Sequence, residues 1–337
     1  MSVGSPARPA WDSTPVRRRR RPLALVLALL LLVPALGSTV LRLAAPTDDL
    51  GALLASFVPY GLPLYLVVLL LLVVALVRGR RRVALGSLAL AVAALTALHV
   101  AWIAPFYVRD DRPVVGPSFT VLEQNVYLGR ADTRALTRVA QRADVVVLSE
   151  TTRGFLGRLQ TPEWKERFPY AVGDLSGPPS DTTVFSRFPI DDPATLPGSL
   201  ATQWVMTLEV PGRTPVRLLG VHPCNPYCAQ GAFATDHAAL EQAVRDNRSM
   251  PLVVAGDLNA IDDHAPLQRL HADGMRSAAD LVGAGFVPTW PSNRAFPPLL
   301  PIDHVLVNDQ LTATALRTVE MPGSDHLGLV ATLAGTT

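Results

Sequence analysis

Residues 321–333 read "MPGSDHLGLVATL". A Ser-Asp-His cluster stands directly before an apolar run with strand-like alternation. Pro322, Gly323, Ser324 and Asp325 are all turn formers, so a turn accounts for the first half. It does not account for His326, an imidazole beside a carboxylate at the mouth of a buried strand. The same pattern recurs upstream. "TVLEQN" ends in Asn125, "DVVVLSE" in Glu150, "RLLGVH" in His222, and "PLVVAGDLN" in Asp257 and Asn259. "PLLPID" delivers Asp303 just before "HVLV". With Asp325 and His326 that makes six strand ends carrying groups that core packing would not select, as expected of a site assembled along one rim of a sheet.

Between these ends, residues 106–337 alternate strand and helix patterns. "FTVLEQNVYL", "TTVFSRF", "WVMTLEV", "VRLLGVH", "PLVVAGD", "IDHVLVN" and "LGLVATL" read as strands. "ADTRALTRVAQRA" and "GAFATDHAALEQAVRDN" read as helices, the second with Ala232, Phe233, Leu240 and Val244 on one face. "WVMTLEVPGRTPVRLLGV" predicts a hairpin about Pro211-Gly212. The layout is that of an α/β or α+β domain on two packed sheets.

The first hundred residues differ in kind. Hydrophobic residues make up 49% of the 337-residue chain, and the excess lies in three runs, at 23–41, 56–77 and 83–105. Each is about the ~20 residues a helix needs to cross a hydrocarbon core. Pro34, Pro59 and Pro63 are tolerable bends there. A cleaved signal peptide would explain the first run but not the two that follow. Arg17 to Arg21 precede the first run and "RGRRR" at 78–82 separates the second from the third. The intervening "APTDDLGA" carries Asp48 and Asp49 and no basic residue. By the positive-inside rule both arginine clusters are cytoplasmic and the chain beyond residue 106 lies outside. The expected organisation is a basic cytoplasmic tail (1–22), a three-span membrane region (23–105), a tether (106–117) and an outer domain (118–337), in a multi-pass protein of the cell membrane.

The net charge of +2 hides this division. Eleven of the 30 basic and three of the 28 acidic residues precede residue 106, which leaves 19 against 25 and a domain near −6. An acidic domain is a poor partner for salt-driven, non-specific nucleic-acid binding. The spans hold no carboxylate or lysine with which to line a transport path. The two cysteines, Cys224 and Cys228 in "HPCNPYC", admit either a small loop disulfide or two free thiols, and with one histidine they are too few for a zinc site.

Carboxylate oxygens with Asn carbonyls suit a hard cation, Mg²⁺ or Mn²⁺. An Asp beside a His fixes its tautomer, as hydrolysis of a phosphate ester requires. The ordered set "EQNV", "LSE", "FSRFPI", "VHP", "GDLN", "IDHVLV" and "SDHLGLVATL" resembles the endonuclease/exonuclease/phosphatase superfamily over roughly 118–335. The resemblance implies a four-layer α/β sandwich, two mixed sheets flanked by helices, with the site at one edge. It also implies a metal-dependent phosphoric ester hydrolase.

Carried over residue by residue, Glu150 matches the principal metal carboxylate, Asn125 the Asn that orients the metal site, and Asp325 the second metal-side carboxylate. Asp257 and Asn259 match the pair that positions water and phosphate. His326 matches the catalytic histidine, Asp303 the carboxylate that holds it, and His222 a phosphate or leaving-group contact. The implied partners are a phosphate-ester substrate and the bilayer, with no specific protein partner. The competing reading is a membrane-bound phosphate-ligand sensor that does not turn over. His304 alternates to the opposite face from Asp303 and reads as structural. His237 and His271 read as surface residues. Asp262, Asp263 and His264 read as a cap for a helix near Pro266, or as a substrate loop. Trp290 reads as a substrate edge or as packing.

Overall fold

The computed structural model describes residues 23–78, 82–173 and 181–336. Arg17 to Arg21, the tail 1–22 and the centre of the 78–82 arginine cluster lie outside the described residues.

Among the described residues four α-helices come first: α1 (Leu23–Ala44), α2 (Asp49–Ala55), α3 (Gly61–Arg78) and α4 (Arg82–Ile103). Helices spanning Leu23–Ala44, Asp49–Val77 and Arg82–Tyr107 are long and apolar enough to cross a membrane. α1 and α4 both pack on α3 around Tyr65, Val68 and Leu72. Many of their leucines stay on the outer surface; Leu30 and Leu70 are over 60% exposed. That is the pattern of a bundle whose outside faces hydrocarbon rather than water. Thr39, Tyr65 and His99 join the three helices by side-chain contacts of 2.6 and 3.0 Å.

The described residues of the remaining chain form twelve strands. They are β1 (Val114–Asn125), β2 (Val145–Ser149), β3 (Tyr170–Val172), β4 (Thr182–Ser186), β5 (Ile190–Thr195), β6 (Trp204–Leu208), β7 (Val216–Val221), β8 (Leu252–Asp257), β9 (Arg276–Ser277), β10 (Asp303–Val307), β11 (Leu311–Val319) and β12 (Gly328–Thr336). They build two six-stranded sheets, β11-β12-β1-β2-β4-β3 and β5-β6-β7-β8-β10-β9. Each sheet has one parallel pair, β1 with β2 and β7 with β8; the other pairs run antiparallel. The expected β6–β7 hairpin forms.

Strand alternation decides the layers. Phe119, Val121, Val145 and Val147 of the first sheet meet Leu218, Val253, Ala255 and Val305 of the second in the central core. The opposite face of the first sheet packs on α5 (Thr133–Ala140), α6 (Arg153–Leu159) and α7 (Pro162–Arg167), through Leu136, Phe155 and Trp164. The opposite face of the second packs on α8 (Ala232–Asn247) and α9 (Ala265–Ala272), through Phe233, Leu240 and Leu267. The result is helices, sheet, sheet, helices: the four-layer sandwich.

The helical region and the sandwich share contacts. Ala52 of α2 belongs to the same apolar cluster as Phe233 and Leu267. Arg42 is ion-paired with Asp263. The backbone N–H of Gly231 donates to Asp49 Oδ2 at 3.0 Å, just before α8. These contacts correct two expectations. His264 occupies the position before α9 but makes no side-chain capping bond. Its ring spans 2.8 Å to the Ile261 N–H and 2.7 Å to the Ala52 carbonyl, and burial lowers its pKa to about 4. The 262–264 stretch therefore docks the sandwich onto the helices rather than capping α9. His237 is not at the surface either. It is fully buried, between the carbonyls of Phe233 (2.9 Å) and Leu258 (3.0 Å). A helical wheel shows where an apolar stripe lies, but not that a loop from the sheet covers the polar flank. His271 is half-buried, 2.8 Å from Asp262 Oδ1.

Candidate active site

The register brings the polar strand ends together. Asn125 stands beside Ser149 in the β1–β2 pair, one residue before Glu150. Asp303 stands opposite Asp257 in the β10–β8 pair. Asp257 and Asp303 continue the inward rows Val253–Ala255 and Val305–Val307, so the acidic residues take over where the sandwich opens. Close strand approach demands a glycine before Asp257: a Cβ at Gly256 would sit 1.8 Å from the Val221 carbonyl oxygen.

The turn that opened the sequence reading is real and also delivers the imidazole. Ser324 N–H donates to the Met321 carbonyl (3.0 Å) and Ser324 Oγ accepts from His326 N–H (3.0 Å). The same hydroxyl donates to the Asn125 carbonyl at 2.7 Å, tying the turn to the end of β1. Gly323 has φ +87°, and a Cβ there would meet the Arg130 carbonyl oxygen at 2.3 Å.

His326 is buried. Its Nδ1 donates to Asp303 Oδ2 at 2.8 Å, which leaves Nε2 facing Asp257 Oδ2 (3.7 Å) and Asp325 Oδ1 (3.8 Å). His222 approaches the same Asp257 oxygen from the other side, Nε2 to Oδ2 3.7 Å. Burial pulls both imidazoles toward neutrality, but the surrounding carboxylates outweigh it. Asp303, Asp257 and Asp325 raise His326 to about 10; Asp181, Asp257 and Glu150 raise His222 to about 9.

Asn125 is the hub. Its Nδ2 donates to Glu150 Oε1 (3.0 Å) and Asp257 Oδ2 (2.9 Å), and its Oδ1 accepts from Tyr127 N–H (2.8 Å). Glu150 Oε2 accepts from Leu128 N–H at 2.9 Å. Glu150 and Asn259 have φ +57° and +49°, strained values for residues with side chains, as is common where a site dictates direction. Asn259 N–H donates to Asp257 Oδ1 (2.8 Å), the Asx-turn, while its Nδ2 donates to the Pro223 carbonyl (3.1 Å), fixing the chain beside His222. All eight residues singled out, Asn125, Glu150, His222, Asp257, Asn259, Asp303, Asp325 and His326, thus fall in one contiguous network. His304 does face away, its Nε2 2.8 Å from the Ala260 carbonyl. Cys224 and Cys228 are joined in a disulfide.

The structure adds two residues, Asp181 and Glu123, and places Trp290, read as a substrate edge or as packing, against the site. Asp181 lies just before β4, its Oδ1 2.9 Å from His222 Nδ1. Trp290 donates its indole N–H to Asp325 Oδ2 at 3.3 Å. Glu123, buried two residues before Asn125, has no hydrogen-bond donor on either carboxyl oxygen and faces the Asp303 carboxylate. Burial, then the charges of Asp303 and Asp257, push its carboxyl well above the ordinary range. The "LEQN" pattern hints at Glu123 by parity with Val121; Asp181 lies in a loop that carries no periodic signal.

A divalent cation fits these residues. Asp257, Asp303 and His326 place one ligand atom each within 4.8 Å of one another. Asp303 is committed to His326, whereas Asp325 Oδ1 is buried without a hydrogen bond. Asp325 Oδ1 is thus the oxygen in this group that could take an ion without giving up a hydrogen bond, and it is a hard donor, as are its carboxylate neighbours Asp257 and Glu150.

The sequence profile of the Endonuclease/Exonuclease/phosphatase family matches residues 122–326, more than half of the chain. The chain belongs to that family. The family's members are divalent-metal-dependent phosphoric ester hydrolases, and the acid–imidazole cluster places this chain among them as an enzyme. Solved structures share the fold. An endonuclease/exonuclease/phosphatase from Beutenbergia cavernae aligns at 19% identity over 65% of this chain and 72% of its own, TM-score 0.50. A family protein from Bacteroides thetaiotaomicron aligns at 15% identity over 66% and 100%, TM-score 0.51. A conserved protein of unknown function from Enterococcus faecalis aligns at 14% over 64% and 99%, TM-score 0.51. No curated protein matches the chain significantly.

Proposed function

We propose that the chain is a membrane-anchored, outward-facing, Mg²⁺-dependent phosphoesterase acting on a phosphodiester or phosphomonoester. The observation that carries the reading is the buried His326–Asp303 pair aimed at Asp257, beside the Asp325 oxygen that makes no hydrogen bond. A divalent ion held by Glu150 and Asp325, with Asn125 orienting them, would supply positive charge at the phosphate and its leaving oxygen. The chain's own groups divide the remaining work. Asp257, between two imidazoles and fixed by Asn125 and the Asn259 N–H, orients and deprotonates the attacking water. His326, held cationic by Asp303, stabilises charge developing on the phosphoryl oxygens. His222, held by Asp181, is placed to donate a proton to the leaving oxygen. The protein contributes position and charge rather than a covalent intermediate.

The anchoring rests on the three apolar helices, and the orientation on the arginines of the sequence. Contact of the Arg42–Ala52 stretch with the sandwich supports placing that connector and the domain on the same side. The acidic domain disfavours nucleic acid and the tether favours a substrate at the membrane surface. The test uses the full chain in detergent, with and without EDTA, on plasmid DNA, sphingomyelin, phosphoinositides and a chromogenic phosphodiester. Hydrolysis of one class that stops with chelator supports the proposal; hydrolysis of none favours a sensor.

A further inference from the structure

A cavity of about 270 Å³ lies where the helices meet the sandwich. Pro59, Pro63 and Phe106 form its helix-side wall; Val287, Val305 and Leu329 form its domain-side wall. Its inner end reaches Asp303 and His304, behind the catalytic imidazole. Tyr107 and Phe286 also line it, yet remain 55% and 40% exposed, and so mark its mouth at the end of the third span.

The lining decides what fits. Every polar side chain in the wall is already engaged. Tyr60 donates to the Leu299 carbonyl, and Tyr107 accepts from Phe286 N–H. Asp263 pairs with Arg42, Asp262 with His271, Asp303 with His326, and His304 with the Ala260 carbonyl. Ser277 accepts from Ala279 N–H. Water needs two to four polar partners to be held in such a space, and a polar ligand needs at least one. With these side chains already partnered, most of what the wall presents is apolar and favours hydrocarbon. Its size is near the lower end of ligand pockets, roughly 300–1,000 Å³.

We propose that this cavity takes the acyl chain of a bilayer phospholipid. The inference rests on reading the three helices as membrane spans, and not on catalysis. The mouth opens beside the last turn of a span, where lipid tails begin. Arg109, exposed two residues beyond Tyr107 and bonded to the Thr314 carbonyl, sets a cation beside the mouth, where a head-group phosphate would lie. A tail seated there touches the rear of Asp303, so the wall of the active site would be completed by lipid.

The test reconstitutes the full chain in phosphatidylcholine nanodiscs containing a phosphatidylcholine with a diazirine at the end of one acyl chain. Adducts are mapped after irradiation. Val305 is 1% exposed, so an adduct there requires a tail inside the cavity. Labelling is expected at Val305 and Val287, and is expected to be lost in Val287→Trp and in Ala279→Trp, whose indoles fill the space. Labelling of Leu66 and Leu70, on the outer face of α3, serves as the folding and insertion control in each variant. Labelling of Leu66 and Leu70 with none at Val305 in the wild type overturns the proposal. So does cavity labelling that persists in both filled variants. Absence of label from α3 as well overturns the membrane reading and the proposal with it. None of these outcomes depends on phosphoester turnover, so failure here is distinguishable from failure of the enzymatic reading.

Discussion

Asn125 Nδ2 lies 2.9 Å from Asp257 Oδ2 and joins the end of β1 in one sheet to the end of β8 in the other. The same amide nitrogen holds Glu150. One side chain therefore sets the spacing between the carboxylate assigned to the ion and the carboxylate assigned to the water. Asn125→Ala removes both bonds in a fully buried position. The expected result is a rise in the Mg²⁺ concentration needed for half-maximal activity of ~10–100-fold, as for other residues that orient metal ligands. Titration of activity against Mg²⁺ checks it; an unchanged curve contradicts the hub role.

The Asp303–His326 bond fixes the imidazole with Nε2 toward the phosphate position. Asp303→Asn keeps the volume but no longer holds the ring cationic. A loss of roughly 10²–10⁴ in kcat with little change in KM is expected, the range of a positioned acid–base group. Thermal melting of the variant separates this from unfolding. A KM effect alone would mean that Asp303 serves substrate binding.

Asp181 holds His222 from the side opposite Asp257. If His222 protonates the leaving oxygen, Asp181→Asn should slow esters with poor leaving groups far more than a p-nitrophenyl ester, whose leaving oxygen needs no proton. Comparison of kcat for an alkyl and a p-nitrophenyl phosphodiester reads this directly. Equal losses on both would assign His222 to phosphate binding.

The His271–Asp262 pair, away from the site, gives a pH signature of stability. Burial opposes the charged ring, but the Asp262 contact raises His271 to about 9. Burial likewise opposes ionised Asp262, but the His271 hydrogen bond and charge lower it to about 2. The raised histidine contributes fully below its unfolded value of ~6.5 and loses that contribution as pH rises through about 9. The depressed aspartate contributes above its unfolded value of ~3.9 and loses it as pH falls toward about 2. The Tm difference between wild type and His271→Gln should thus be largest between about pH 4 and 6.5, shrinking on both sides. A difference that is flat from pH 5 to 9 contradicts the ion pair.

The site was more legible in the sequence than the periphery, for a physical reason. Asp257 and Asp303 extend inward apolar rows, so the break from valine to aspartate marks where the core ends. The same contrast hid β11. Its "LTATALRTV" is a half-exposed edge strand of alanine and threonine, without the valine-rich run that two-sided burial imposes. β5, "IDDPAT", is an exposed edge with a proline, which only an edge tolerates. Asp181 acts from a loop, where position is set by what the loop crosses and not by its own pattern. His264 was misread because its partner, the carbonyl of Ala52, lies 212 residues away in the connector between two apolar helices, where no local pattern marks the contact.

The central claim is that these oxygens and imidazoles, converged at one rim, hydrolyse a phosphoester with a divalent ion. The most direct measurement is turnover of a chromogenic phosphodiester by the full chain in detergent, across a Mg²⁺ titration after EDTA, for wild type, Glu150→Gln and His326→Ala. The account predicts wild-type activity that vanishes with EDTA and returns with Mg²⁺, Glu150→Gln displaced to higher Mg²⁺, and His326→Ala inactive at every concentration. Turnover indifferent to EDTA, or His326→Ala matching wild type, would contradict it.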